Sequence, residues 1–347
     1  MISFRSDYQT GGHPKVMAEL CSPSQNVQAE PGYGADSFTK EAITLLLAYF
    51  GKTEEVPVRF ISGGTQTNLL AIDSMLSRTG AVIAAESGHI NVHESGAIER
   101  SGHKIVSLKG EKGKLTARTL KSYLTAFMND ESNRAMPQPE LVYISQPTEL
   151  GTVYSLNELR ALRSVIDPYG IKLYIDGARL ATVLCTYTPE ERQQYYDLCH
   201  AFSVGGTKCG ALFGEALIYS HYDPKDIDIL TKQHGALMAK GRVIAQQYLA
   251  LFEDDLYNTI GKKEVEQAMR VKEIFLRNGF AAYINSPTNQ QFFIIKKSQR
   301  AFLESEVAFE KWADVNESEI AIRLVTGWAT TDEEIEKLGC VVAQMAK

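Results

Sequence analysis

From about residue 40 the chain alternates between two hydrophobic periods. Apolar positions recur at helical spacing over residues 40–50, 66–77, 117–128 and 157–167, while short β-branched or apolar runs fill 56–61, 81–85, 104–108, 141–144 and 172–175. Short strands separated by helix-length segments predict an α/β fold with a mostly parallel sheet covered on both faces. Ligands in such sheets bind at the carboxyl edge, so the loops that follow strands carry the candidate chemistry. After about residue 240 the texture changes to a long charged helix pattern over 243–277, followed by β-like runs at 291–295 and 321–326. This predicts two domains: residues 1–245, an N-terminal segment plus a large domain, and residues 246–347, a small α+β domain.

Composition narrows the partners. The 347 residues carry 36 Lys plus Arg against 42 Asp plus Glu, a formal charge of −6 with no block of like charges, which argues against nucleic-acid binding. The longest apolar stretch, 43–50, is too short to span a bilayer, and Arg5 and Asp7 stand where an export signal needs an apolar run. Cys21, Cys185, Cys199, Cys209 and Cys340 are odd in number and scattered, unlike a zinc site or a disulfide scaffold. A reducing, cytoplasmic setting is expected, with each cysteine a small buried hydrophobe.

Three segments stand out at strand ends. In Ile61-Ser62-Gly63-Gly64-Thr65-Gln66-Thr67-Asn68 a β-branched run stops at two glycines and a helix begins. The unpaired N–H groups of a helix start attract phosphate, small residues let it approach, and Thr65 and Thr67 offer hydroxyls. In Leu173-Tyr174-Ile175-Asp176-Gly177-Ala178-Arg179 a strand ends in a carboxylate able to hold a proton on a heterocyclic nitrogen, with a guanidinium able to clamp a carboxylate. In Phe202-Ser203-Val204-Gly205-Gly206-Thr207-Lys208-Cys209-Gly210 a lysine sits in a glycine-rich turn; lysine forms Schiff bases with aldehydes, and the glycines leave room for a ring. Taken singly, each segment has an ordinary structural explanation. Together they supply what pyridoxal 5'-phosphate needs: a phosphate cradle, a partner for the pyridine nitrogen, and a lysine for the aldehyde. Neither G-x-G-x-x-G nor G-x-x-x-x-G-K-[ST] occurs, which removes the main support for dinucleotide or Walker-type binding.

Phe4-Arg5-Ser6-Asp7, Gly32-Tyr33-Gly34, Gly64-Thr65-Gln66, His89, Asp176-Gly177-Ala178-Arg179, Thr207-Lys208 and Ile322-Arg323-Leu324-Val325-Thr326 together resemble the threonine aldolases, grouped with the β-eliminating lyases in the aspartate-aminotransferase-like fold of pyridoxal phosphate enzymes. The resemblance implies a mostly parallel seven-stranded sheet in the large domain. It implies that Lys208 carries the cofactor, Asp176 pairs with its ring nitrogen, Gly64 and Thr65 hold its phosphate, and His89 stacks on the ring and serves as a base. Ser6, Arg179 and Arg323 match positions that bind the amino-acid substrate's carboxylate, and Tyr33 a tyrosine reaching the site of a neighbouring subunit. A homodimer is the implied minimum, and a tetramer of two dimers fits. The implied reaction cleaves L-threonine or L-allo-threonine to glycine and an aldehyde; the alternatives are β-elimination or dehydration of a hydroxy- or thio-amino acid, or a non-catalytic ligand-binding role.

Some positions depart from the family pattern. Ser145-Gln146-Pro147-Thr148-Glu149 replaces an E-N-T-H segment, with Thr148 nearest the missing histidine, so His89, a water or Glu149 must serve. Cys209 and Gly327 alter neighbours of the lysine and of the hydroxyl side of the pocket. An arginine for the partner's phosphate has no clean match; Lys232, Lys240 and Arg242 are the candidates. His89 and His93 lie four apart but lack a third metal ligand at a recognisable spacing, so no metal is expected and His93 is read as structural.

Overall fold

In the computed structural model, which describes residues 1–22 and 29–347, the chain opens with the short strand β1 (Ile2–Ser3). It then builds one sheet from β2 (Val58–Ile61), β3 (Gly80–Ala85), β4 (Lys104–Leu108), β5 (Gln138–Ser145), β6 (Lys172–Asp176), β7 (Ala201–Gly205) and β8 (Glu215–Ile218). The order is β2-β8-β7-β6-β5-β3-β4; β8 runs antiparallel to β2 and β7, and the other pairings are parallel. The seven strands and their mostly parallel sense are as the sequence implies.

Strand alternation fixes the layers, because successive side chains point to opposite faces. Ile83, Ala85, Val142, Ile144, Leu173 and Ile175 join one core, beneath helices Ser37–Tyr49, Ala117–Asn129, Leu156–Ile166 and Arg242–Phe252. Val82, Ala84, Leu141, Tyr143 and Tyr174 join the other, against helix Gly64–Met75. Helix starts carry their own signals: Asp36 accepts from the Thr39 amide at 2.8 Å, and Ser155 with Glu158 forms a capping box.

The single helix expected over 243–277 is instead two, Arg242–Phe252 and Leu256–Arg277. Between them lie three consecutive acids that fit neither apolar face. Asp255 adopts φ +54°, a left-handed turn that ends helical propagation, and accepts from Asn258 Nδ2 at 2.5 Å. A second sheet follows, from β9 (Ala282–Ile284), β10 (Gln290–Lys296), β12 (Glu310–Asp314) and β13 (Glu319–Val325), in the order β12-β13-β10-β9. The strand β11 (Val307–Ala308) pairs instead with β1, in parallel. Ile2 and Phe4 are buried in the C-terminal core with Phe293, Val307 and Leu338. By packing, the first residues therefore sit with the C-terminal layer, although the sequence groups them with residues up to 245.

Cys199 and Cys209 are buried as expected, but Cys21 and Cys340 are exposed and Cys185 is half-buried. Among the described residues no helix is long and apolar enough to cross a membrane.

The turns after β6 and β7 lie backbone against backbone. A Cβ on Gly177 would meet the Ser203 carbonyl oxygen at 2.0 Å, and one on Gly205 the Ala178 carbonyl oxygen at 2.4 Å. These glycines serve the approach of the two loops to one another rather than room for a ring. Gly177→Ala is expected to destabilise the protein by about 1–3 kcal/mol, read as a lower urea midpoint, because the added methyl forces the loops apart.

Candidate active site

Every parallel strand named above that precedes a candidate motif ends on the same edge of the sheet, which gathers Gly63 and Gly64 after β2, His89 after β3, Glu149 after β5, Asp176 at the end of β6 and Lys208 after β7. Because β8 runs the other way, its first residue, Glu215, lies on this edge too.

The Gly64–Met75 helix starts here with Gly63 as its N-cap. Space is open around the Cβ positions of both Gly63 and Gly64, so an anion can approach the backbone amides. Thr65 is exposed, but Thr67 is buried and its hydroxyl is turned back onto the Gly63 carbonyl at 3.0 Å, which corrects its expected donor role. One turn into the helix, Asn68 donates to Asp176 Oδ2 at 2.9 Å and to Glu94 Oε1 at 2.7 Å, while its own carbonyl accepts from Tyr174. Asp176 also accepts from the Tyr143 hydroxyl at 2.8 Å and, on Oδ1, from the Ala178 amide at 2.9 Å. Three donors hold this carboxylate in place, and Oδ1 keeps capacity for one more.

His89 Nδ1 and Glu94 Oε1 share a hydrogen bond of 2.6 Å, in which the carboxylate oxygen accepts. Burial pulls the imidazole down, but the Glu94 hydrogen bond and the charges of Asp176 and Glu94 outweigh it and hold His89 above its ordinary value. Burial likewise raises Glu94 and Glu149. His89, Glu94 and Asp176 bring ligand-type atoms within 4.8 Å of one another, a closeness that the amide of Asn68, donating to both carboxylates, accounts for. Glu149 Oε1 accepts from the His89 amide at 2.9 Å and from Ser145 Oγ at 2.5 Å, and Glu149 lines the cleft, whereas Thr148 is buried with its hydroxyl on Thr152. His93, expected to be structural, is exposed and lines the cleft, its ring 5.5 Å from that of His89.

Lys208 projects into a cleft of about 300 Å³ lined also by Tyr8, Arg179, Gln290, Glu310, Trp312 and Arg323. Burial, and then the neighbouring Arg179 charge, lower its ammonium pKa. Glu215 accepts from the Gly206 amide at 3.2 Å and is pushed up to about 7 by burial. The sequence gives little sign of it, since β8 is short and its direction is not readable from its residues.

The carboxylate-binding candidates divide. Arg179 gives its two-pronged bond to Asp7, Nε to Oδ2 at 2.6 Å and Nη2 to Oδ1 at 3.0 Å. Arg323 donates from Nη1 to Gln290 Oε1 at 3.1 Å and from Nη2 to Glu310 Oε2. Ser6 accepts from the Tyr8 amide and lines a smaller cleft with Gly327 and Thr330 instead of the one holding Lys208. Tyr33 lies elsewhere again, 53% exposed at φ +61°, with Lys232 Nζ 4.7 Å from its ring centre. Within one chain, then, Lys208, His89, Asp176, Arg179 and the Gly63–Gly64 turn share one strand edge, and Lys208, His89 and Arg179 line one cleft with Arg323, while Ser6 and Tyr33 stand apart. An anion cradle, a carboxylate for a protonated ring nitrogen and an amine for an aldehyde are the set that fits pyridoxal phosphate.

The family described as β-eliminating lyase matches residues 3–298. The low specificity L-threonine aldolase of Pseudomonas sp. (strain NCIMB 10558) is 31% identical over 257 residues, covering 72% of this chain and 71% of that protein. That of Pseudomonas aeruginosa is 30% identical over 260 residues, covering 73% and 72%. Among solved structures, the threonine aldolase of Leishmania major superposes with a TM-score of 0.93 at 34% identity, covering 100% of both chains. A family match over most of the sequence, together with this superposition, means that the chain belongs to the β-eliminating lyase family and has the α/β, aspartate-aminotransferase-like fold of pyridoxal phosphate enzymes.

Proposed function

We propose that the protein is a pyridoxal phosphate-dependent aldolase that cleaves L-threonine and L-allo-threonine to glycine and acetaldehyde. The observation that carries this is the gathering of Lys208, Asp176, His89 and the open helix start on one strand edge, with Arg323 lining the same cleft as Lys208 and His89. Gly63, Gly64 and Thr65 would hold the phosphate, Asp176 the ring nitrogen and Lys208 the aldehyde carbon. When bound, the cofactor supplies a place for the electron pair released from the Cα–Cβ bond. The chain's own residues do the rest. Arg323 binds the α-carboxylate and so fixes how the substrate's bonds are turned. His89, held at Nδ1 by Glu94, presents Nε2 to the β-hydroxyl and takes its proton as the aldehyde forms. Glu149, beside His89 and raised by burial, is placed to carry that proton onward.

Product analysis tests the reading. Glycine and acetaldehyde from L-threonine are expected; ammonia and a keto acid would instead establish β-elimination, and no product with cofactor bound would favour a binding role. Arg323→Ala is expected to raise KM for L-threonine about 30-fold or more while the cofactor stays bound, since losing the partner of a desolvated charge costs about 2–5 kcal/mol. Steady-state kinetics check this, and an unchanged KM would remove Arg323 as the anchor.

The protein works as a homodimer at least, with a tetramer of two dimers as the fuller assembly, in the cytoplasm. Tyr33 and Lys232 lie together away from their own chain's cleft, which supports their serving a neighbouring subunit. Light scattering that returned a monomer of full activity would end that part of the reading.

A further inference from the structure

Both arginines of the cleft are already paired with carboxylates of the chain, but the two pairs differ in how firmly they are made. Asp7 is buried, takes both prongs of Arg179 and accepts a third hydrogen bond from Asn289 Nδ2 at 2.9 Å. That pair is locked. Glu310 stands on β12 directly opposite Arg323 on β13 and reaches it with one oxygen; its side chain is 38% exposed, and among the described residues its carboxylate has no other hydrogen-bond partner. Arg323, by contrast, keeps other holds: Gln290 accepts from Nη1, and the guanidinium lies 5.2 Å from the centre of the Trp312 ring, which is itself braced edge-on against Phe292. If Glu310 withdrew, Arg323 would stay where it is.

We propose that Glu310 is a resident competitor for Arg323, displaced by the substrate's α-carboxylate, so that every carboxylate ligand pays the same cost of exchange before it is bound. The proposal rests on Arg323 being the carboxylate anchor. A tethered carboxylate acts at a high effective concentration, so a ligand with a carboxylate alone competes poorly against it. An α-amino acid has a second point of attachment through its amino group and can win the exchange. Glu310 thus sets the affinity that any carboxylate ligand must exceed, without touching the bond that breaks.

The test compares Glu310→Gln with the wild-type holoenzyme. The substitution keeps size and removes the charge at an edge-strand position. KM for L-threonine is expected to fall about 5- to 10-fold, with kcat moving less than KM. The dissociation constant of propionate, measured by calorimetry rather than turnover, is expected to fall by the same factor. A higher KM in Glu310→Gln would mean that Glu310 positions Arg323, and unchanged values would mean that the pair is inert; either result overturns the proposal. Arg323→Ala separates the two levels. If it leaves KM unchanged, the anchor assignment fails and the proposal with it; if it raises KM while Glu310→Gln binds no tighter, only the proposal fails.

Discussion

Lys208→Ala is expected to abolish the visible absorbance of bound pyridoxal phosphate and to lower turnover of L-threonine by roughly 10³-fold or more. Lys208 is the lysine that lines the cleft, and its Nζ makes no hydrogen bond to any described residue; it lies 5.9 Å from the centre of the Tyr8 ring and faces the charges of Arg179, Asp7, Asp176 and Glu215. Burial and the Arg179 charge lower the ammonium pKa, which favours the neutral amine that an aldehyde needs. Those same facts predict that the fold survives. Removing an amine without hydrogen-bond partners from a desolvated position leaves no orphaned acceptor behind, and this gain offsets the lost attraction to Asp7, Asp176 and Glu215, so the cofactor-free variant should melt within a few degrees of the cofactor-free wild type. Absorption spectra and thermal melts of the two proteins, with and without added cofactor, read both outcomes. A retained visible band with full turnover would show that another amine carries the cofactor.

The cradle, Asp176 and Lys208 were legible because each announces itself locally, as a strand that stops at glycine, a carboxylate or a lysine. What the sequence left dark depends on partners far away in the chain. Asp7 and Arg179 are 172 residues apart, and nothing near either one signals that the arginine's fork is already engaged. Glu94 is close to His89 in sequence, yet its role depends on Asn68, 108 residues from Asp176, bonding to both carboxylates. Glu310 and Trp312 fall on one face of an edge strand whose residues, Glu310-Lys311-Trp312-Ala313-Asp314, carry too much charge to read as β, so the strand and its cleft-facing residues were missed together. A two-residue alternation was the available signal, but it spans only five residues. The same limit explains the 243–277 region: helical periodicity holds on both sides of Glu253-Asp254-Asp255, and the left-handed backbone at Asp255 that divides it is not carried by that periodicity.

His89→Ala is expected to cost about 10²- to 10⁴-fold in kcat with the cofactor still bound, the usual worth of a positioned base. A base acts when deprotonated, so the acid limb of the rate profile rises through the histidine's pKa. In this protein the Glu94 hydrogen bond and the Asp176 and Glu94 charges hold that pKa above the ordinary histidine value against the effect of burial, so the limb should sit correspondingly high. Glu94→Gln removes the charge that favours the protonated ring and leaves a weaker, neutral acceptor in its place. The histidine's pKa then falls, and the acid limb of kcat/KM moves to lower pH, while His89→Ala loses that limb altogether. The pairing distinguishes His89 from its neighbour, because Glu149 is also raised by burial and hydrogen-bonds to the His89 backbone rather than its ring. Were Glu149 the base, His89→Ala would keep a limb and Glu94→Gln would scarcely shift it. A pH profile of three proteins, wild type and the two variants, therefore assigns the proton at the β-hydroxyl to one side chain or the other.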